Sequence, residues 1–379
     1  MKILIIADGY PTEKYRGHGI FEFDQAKALA SLGHEVIFAS VDMRSIRRWR
    51  KWGIEKFLRD NIRVYGINIP LGRVPRSILS FFTVFGLKIL YKRIKKEQGR
   101  PDIMHAHFTN IGYAATKLKK NTGLPLVITE HSSEINKKKI DKDLYNLARV
   151  AYKSADALIS VSTTLASKIN YHFKIKSLYI PNIVDTAVFC YKSTEIFNED
   201  YIFVSVGNLI EIKQMDLTIE TFYLAFRDNP KIKLIIYGDG PERKKLSDLI
   251  YKFGLNKQIK LMGQCSRDEI SNQLAKSNCF VLPSRAETFG VVYIEAMAMG
   301  LPVIATKCGG PEGFVNESNG ILIDVDNKEQ LVEAMKYMYN NIDMYDRKSI
   351  ARETLERFSP KVVAMKLLEV YETVLTKKH

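Results

Sequence analysis

Two carboxylates stand eight positions apart in the stretch PSRAETFGVVYIEAMAMG, residues 283–300: Glu287 and Glu295. Such a pair can be two acids of one catalytic dyad, two contacts on one ligand, or two ordinary helix residues. The local pattern reads as strand (CFVLPS), loop (SRAET) and a helix from about Phe289. The first-turn N–H groups, at Phe289, Gly290 and Val291, then lack intrahelical partners and face the strand end. Glu295 falls nearly two turns into this helix. Eight residues of helix span about 12 Å, whereas the carboxyls of a glycosidase flank one bond at ~5–9.5 Å. The spacing suits two contacts on one elongated ligand with hydroxyls at both ends and a charged middle. A nucleotide sugar has that layout. An exposed helix glutamate is the plainer reading of Glu295, but Val291, Val292, Ile294, Ala296 and Ala298 surround it with apolar positions.

Other loops carry candidate groups. VGNLIEIKQMD places Lys213 between a strand and a helix, where it can reach a phosphate or simply be solvated. DGYPTEKYRGHGI opens a helix near residue 21, and Gly17 and Gly19 permit close backbone approach of an anion to it. GDGP, starting at Gly238, is explained as well by Pro241 at a helix start, and another strand-end loop begins at Gly263. TEH sets Glu130 and His131 at a strand end, and HAH sets His105 and His107 on one side of another strand. Three histidines admit a metal reading only if the two loops converge, and no carboxylate is spaced as in a zinc motif.

These loops need elements to hold them. The first half alternates apolar strands (KILIIAD, HEVIFAS, DIMHAH, PLVITEH, ALISVS, SLYIPN) with helical runs at 21–32, closed by Gly33, and 114–122. The second half repeats the pattern. Strands YIFVSVGN, KLIIYGDG, IKLMG, CFVLPS, LPVIAT and GILID alternate with helices at 215–226, 241–253, 289–299 and 328–340. This predicts an α/β chain of two Rossmann-like, doubly wound halves joined within 181–200 and facing across a cleft. Ligands of such sheets bind at the carboxyl ends of the strands.

Length and composition agree. The chain has 379 residues, 46% hydrophobic and 26% charged, which suits two soluble domains. No secretory signal is visible, and the longest apolar candidate, 78–87, is too short and too polar to span a bilayer. Cys190, Cys265, Cys279 and Cys308 form no CxxC pair and read as small buried residues of a reducing compartment. The formal charge is +15, and 44–100 alone holds sixteen Lys/Arg against three acids. Within it, RSIRRWRKWGIEKFLR sets Ile46, Trp49, Trp52, Ile54, Phe57 and Leu58 among seven cations, and LGRVPRSILSFFTVFGLKILYKRIKK repeats the mix. That composition suits docking on an anionic membrane surface, or else an amphipathic helix with a solvated face. It contains no known nucleic-acid-binding module, so no nucleic-acid partner is expected.

In combination these residues resemble a retaining glycosyltransferase of family four, the group 1 type of cell-surface polysaccharide synthesis, with the GT-B fold. The resemblance covers most of the chain: GIFEFDQAKALASLGHEV, PDIMHAH, VITEHSSEI and YIPNIVDTAVF, then VGNLIEIKQMDL, IYGDGPERKKL, GQCSRDEI, VLPSRAETFGVVYIEAMAMGLPVIAT and GGPEGFV with NGILID. It implies an acceptor-binding domain over 1–185, a nucleotide-sugar-binding domain over 186–358, and a helix over 359–379 crossing back to the first. It implies that Glu287 contacts hydroxyls of the transferred sugar with backbone help from Phe289 and Gly290. Glu295 would hold the ribose, Lys213 the phosphates, His131 the anomeric end, and Gly19 would set a helix start beside the phosphates. Asn208, Gly238, Gly263 and Val291 complete the donor-binding set. The family often carries arginine where this chain has Asn208, which leaves Lys213, Arg16 or Arg285 as the cations; Ile183 replaces a frequent glycine. The implied chemistry is metal-independent, cofactor-free transfer with retention from a nucleotide sugar, by default a UDP-sugar, to a lipid-linked oligosaccharide or glycan such as a capsule precursor. The enzyme would be cytoplasmic and peripheral on the inner membrane face. An epimerase or phosphorylase on the same scaffold stays open on fold alone.

Overall fold

The computed structural model describes residues 1–12, 15, 17–43, 52–71, 74–192 and 200–377. The chain divides into two units, Met1–Ile183 with Pro360–His379, and Val184–Ser359. The first is built on strands β1 (Lys2–Ala7), β2 (Glu35–Met43), β3 (Gly53–Arg59), β4 (Ile62–Ile69), β5 (Ile103–His107), β6 (Leu126–Glu130), β7 (Ala157–Ser160) and β8 (Leu178–Tyr179). They form one sheet in the order β3-β4-β2-β1-β5-β6-β7-β8, parallel except for the β3–β4 hairpin. The central strand β1 reads as an unbroken apolar run because helices cover both faces of a parallel sheet, and β5 is equally buried although it carries His105 and His107. Those helices are α1 (Ile20–Ser31), α2 (Arg76–Gln98), α3 (Thr109–Thr122), α4 (Lys142–Ser154) and α5 (Thr163–Phe173). Local chemistry sets their ends: Gly33 takes φ 85° just past α1, and the Asp141 carboxylate caps α4 by accepting from the N–H groups of Asp143 and Leu144.

In the second unit, β9 (Tyr201–Val206), β10 (Ile232–Tyr237), β11 (Ile259–Gly263), β12 (Cys279–Leu282), β13 (Val303–Thr306) and β14 (Gly320–Ile323) form a parallel sheet in the order β11-β10-β9-β12-β13-β14. Helices α6 (Met215–Phe226), α7 (Arg243–Lys252), α8 (Arg267–Ala275), α9 (Val291–Ala298), α10 (Lys328–Asn340) and α11 (Arg347–Phe358) complete it. The last helix, α12 (Pro360–Thr376), packs into the first unit: Val363, Ala364, Leu367, Tyr371 and Val374 join Ile3, Ile5, Phe23 and Leu29 in one core. Each Val, Leu, Ile or Phe side chain among them taken fully from water contributes about 1.5–3 kcal/mol.

Three expectations change. The stretch after β2 enters a hairpin: residues 53–59, expected in an amphipathic basic segment, form an edge strand antiparallel to β4. The register decides it, Gly53 to Arg59 pairing in turn with Asn68 to Ile62, with Ile54 and Phe57 partly covered and Leu58 and Trp52 exposed. Trp49, Ile46 and Arg16 lie outside the described residues. The helix bearing Glu295 begins at Val291 rather than Phe289, because Gly290 takes the left-handed conformation, φ 93°. Glu295 is thus about one turn into the helix. Of the four cysteines only Cys279 is buried; Cys190 is exposed. Among the described residues, no helix is long and apolar enough to cross a membrane.

Candidate functional site

In the second unit β9 lies between β10 and β12, so the chain order reverses at β9 and the loops after β9 and β12 diverge there. Such a switch point is where open α/β sheets take ligands. These two loops carry Lys213 and Glu287. A short 3-10 turn, Glu211–Lys213, sends the lysine back over the strand end, and Lys213 Nζ donates to Glu287 Oε1 at 2.5 Å. The same oxygen accepts from Ser284 Oγ at 2.8 Å. The side chains are 18% and 10% exposed, so the pair is largely withdrawn from water.

The Glu287 backbone is braced from the next loop. Gly310 N–H donates to Glu287 O at 3.0 Å, and a Cβ on Gly310 would collide with the Phe289 carbonyl. Phe289 is itself a core residue, its ring against Phe314 and Phe358, so only its backbone is available to a ligand. Val291 and Tyr293 seat α9 on the sheet, Tyr293 OH donating to Leu282 O at 2.5 Å.

Glu295 does not join Glu287. It is buried against Arg267, whose Nη2 lies 3.2 Å from Glu295 Oε1 and whose Nη1 lies 3.7 Å from Asp185. Arg267 is the first residue of α8, positioned by a capping box in which Ser266 and Glu269 satisfy each other's backbone N–H groups. The S-x-x-E spacing in GQCSRDEI is the signal that could have identified it. The pair of glutamates therefore marks two stations, one paired with a lysine and one with an arginine.

The glycines have structural work. Gly238 has φ 131°, gives its N–H to Gly263 O at 2.8 Å, and leaves no room for a Cβ beside the Gly207 carbonyl. Gly240 likewise approaches the Leu209 carbonyl, while Leu209 N–H donates to Asp239 O at 3.0 Å. GDG thus fastens the β10 loop to the β9 loop that carries Asn208 and Lys213, and the Gly238 N–H is committed. Asn208 is exposed, and its carbonyl accepts from Ile210 N–H. Arg285 pairs with Asp326 at 2.8 Å and Glu211 at 2.9 Å. A cavity of about 370 Å³ bordered by Tyr191, Asn272, Met299 and Arg347 contains none of these groups.

In the first unit the order reverses at β1, between β2 and β5. Gly19 caps α1 in the left-handed region, φ 70°, where a Cβ would strike the Gly9 carbonyl. The helix start is acidic, however. Glu22 is buried in the first turn, and its carboxyl is pushed up to about 8 by burial and by Asp8 and Asp24. Asp8 also faces His18 at 3.8 Å. The unexpected hairpin holds this loop: Glu55 accepts from Tyr10 OH and, at 2.9 Å, from Asn68, and Arg59 donates to Pro11 O at 2.7 Å.

The ends of β5 and β6 do converge. His107 Nδ1 lies 3.0 Å from His131 Nε2, a hydrogen bond rather than a metal-ligand arrangement. His105 is committed on both nitrogens, to Tyr371 OH and to Thr129 Oγ1, each at 2.6 Å. Burial lowers all three imidazoles, His105 and His131 to about 3, so they are neutral at pH 7. Glu130 is buried, and its carboxylate accepts from Thr109 Oγ1 and Tyr152 OH at 2.6 Å, Ser132 N–H at 2.7 Å and His131 N–H at 3.0 Å. Among the described residues no group of three or more His, Cys, Asp or Glu could hold a metal ion.

Comparison with known proteins fits this geometry. The model of Glycosyltransferase Family 4 matches residues 15–188, and that of Glycosyl transferases group 1 matches residues 191–354. An uncharacterised glycosyltransferase of Methanocaldococcus jannaschii is 32% identical over 281 residues, 72% of this chain and 75% of that protein. Sucrose-phosphate synthase from Thermosynechococcus elongatus superposes with a TM-score of 0.82 over 99% of both chains, at 19% identity. The Anabaena protein HepE, solved in complex with UDP and glucose, superposes with a TM-score of 0.75 over 98% of this chain and 100% of its own, at 17% identity.

Proposed function

We propose that this chain, which belongs to the group 1 glycosyltransferases of family four and has the GT-B fold, transfers a sugar with retention from a UDP-sugar to a lipid-linked or glycan acceptor. The Lys213–Glu287 pair at the β9/β12 switch point carries the reading. A cation and a carboxylate side by side are what a donor with an anionic diphosphate and a hydroxyl-bearing sugar requires. UDP is favoured as the donor nucleotide because HepE was solved with UDP and glucose.

In this reading Lys213 moves from Glu287 to the donor phosphates and Glu287 takes sugar hydroxyls. Glu295, oriented by Arg267, accepts from the ribose, and His131 borders the anomeric end. The acceptor hydroxyl oxygen attacks the anomeric carbon from the leaving-group side as the bond to phosphate oxygen breaks. The hydroxyl proton passes to that oxygen, and Lys213 stabilises its charge. No metal or other cofactor takes part.

The acceptor side is read from α2, where Ile78, Phe81 and Phe85 are exposed along one stripe that Lys88 and Lys92 continue. Apolar groups followed by cations suit the inner, anionic face of a cytoplasmic membrane and hence a lipid-linked acceptor of surface-polysaccharide or capsule synthesis.

Incubation with UDP-, GDP- and ADP-sugars, with and without EDTA, tests this. Slow release of UDP that survives EDTA, with a product of retained anomeric configuration by NMR, is expected. Epimerised donor, an inverted product or release that needs a divalent ion would each sink the corresponding part. Anionic liposomes should retain the protein and lose Phe81→Ser/Phe85→Ser; equal retention of both removes the membrane from the scheme.

A further inference from the structure

Two independent features meet at the ends of β5 and β6. The first is the imidazole pair. His107 and His131 are hydrogen-bonded through Nδ1 and Nε2, while His107 Nε2 and His131 Nδ1 are buried with no hydrogen-bond partner. Buried polar atoms are satisfied in the great majority of cases, so each orphan asks for an explanation. The second is Phe108, which follows His107 directly. Its φ of 66° and ψ of 154° lie in a strained region essentially reserved for glycine. The strain is held by the Phe108 N–H bond to Thr129 O at 2.9 Å, and the ring lies 5.0 Å from that of His131. The strained residue thus stacks on the imidazole to which its neighbour is bonded.

The proton count of the pair is restrictive. Two neutral imidazoles carry two N–H groups and two lone pairs. The shared bond uses one of each, so the two outer nitrogens must be of opposite kind. If His107 Nδ1 donates, His131 Nδ1 is a donor and His107 Nε2 an acceptor; if His131 Nε2 donates, both reverse. Asn182 is the neighbour whose hydrogen bonding favours the protonated form of His131, and Asn182 Oδ1 and His131 Nδ1 are both buried with no partner at full hydrogen-bond geometry.

We propose that His107 is a positioning residue: through the shared proton it fixes the tautomer of His131, and so whether His131 Nδ1 donates to or accepts from a sugar hydroxyl, while Phe108 holds the ring in place. This rests on the reading above that His131 borders the transferred sugar. His105 takes no part in the switch, because Tyr371 and Thr129 occupy both its nitrogens. Glu130 touches His131 only through the backbone N–H.

The test uses the full chain with 15N-labelled histidine. Nitrogen shifts should show His131 in a single tautomer in the ligand-free wild type. Asn at 107 can keep a polar atom near the Nδ1 position and Leu cannot, so His107→Asn should retain the single tautomer and His107→Leu should give a mixture. With UDP-glucose as probe, His107→Leu should lose at least about ten-fold in kcat for UDP release with KM within about two-fold, and His107→Asn should recover most of it. An unchanged His131 tautomer in His107→Leu, or equal kcat losses in both variants, overturns the proposal. If His107→Leu does not fold, a tautomer mixture in His107→Asn does the same. The nitrogen shifts need no substrate, so absence of UDP release in the wild type would remove the functional reading and leave the coupling to be judged on its own.

Discussion

Glu287→Gln separates two roles of the Lys213–Glu287 pair. At 2.5 Å the attraction is about 7 kcal/mol with an effective dielectric constant of 20. Removing two charges from water takes back most of that. With side chains 18% and 10% exposed, a net coupling of about 1–3 kcal/mol remains, within the range of double-mutant cycles. A diphosphate that recruits Lys213 must first break this pair. UDP without a sugar gains nothing from Glu287 in exchange. Glu287→Gln should therefore bind UDP more tightly, by about 1 kcal/mol or five-fold, while releasing UDP from a UDP-sugar at least a hundred-fold more slowly. Lys213→Met should weaken UDP ten-fold or more. Calorimetric titration of UDP into the wild type, both single variants and the double variant measures each quantity. If Glu287→Gln weakens UDP as much as Lys213→Met does, the carboxylate helps the diphosphate directly and the competition argument is wrong.

Three further outcomes are expected. Arg267→Met leaves Glu295 buried without its guanidinium and should raise the donor KM about ten-fold with kcat nearly kept; steady-state kinetics with an unchanged KM would remove Glu295 from donor binding. Glu22 is raised to about 8 in the fold from an ordinary 4.5, so its contribution is full below pH 4.5 and is lost as pH rises through 8; urea melts should show the wild type losing stability relative to Glu22→Gln from pH 5 to 8, and a pH-independent difference refutes the shift. Gly238→Ala must displace the Gly207 carbonyl from a φ of 131°, a cost of roughly 3 kcal/mol or more. At about 2–4 °C per kcal/mol for a unit of this size, the melting temperature should fall by at least about 6 °C; a fall under 2 °C would mean the loop yields freely.

The strands were legible because parallel sheets bury continuous apolar runs, as in KILIIA and CFVL. The helix 215–226 was legible from its flanks and apolar positions. β3 and β4 were not. GIEKFLR and IRVYGINI fell in a stretch read for its basic charge, and they form an antiparallel hairpin about a tight turn at Asp60 and Asn61, both with positive φ. In the site, the Lys213 and Glu287 loops could be placed at strand ends, but their contact depends on strand order, which periodicity does not carry. Arg267, Tyr371 and Phe108 were missed for the same reason. Their partners lie 28, 266 and 21 positions away or more, and nothing local marks them except the capping box at Ser266. Gly238 was read only as part of a loop explained by Pro241, and the fold shows that its glycine is required by the Gly207 carbonyl.

The placement of α12 has a consequence for synthesis. Val363, Leu367 and Tyr371 complete a core whose other members lie within the first 183 residues. During translation the first unit emerges early, yet its apolar groove and the His105 imidazole stay uncovered while all of Val184–Ser359 is made. The middle unit is contiguous and can finish folding first, as domains generally fold as units. The first unit is closed only once residues 360–376 have been made. A stall or truncation before residue 360 would release a chain with one finished unit and one open hydrophobic face, the form most prone to aggregate or to be held by chaperones.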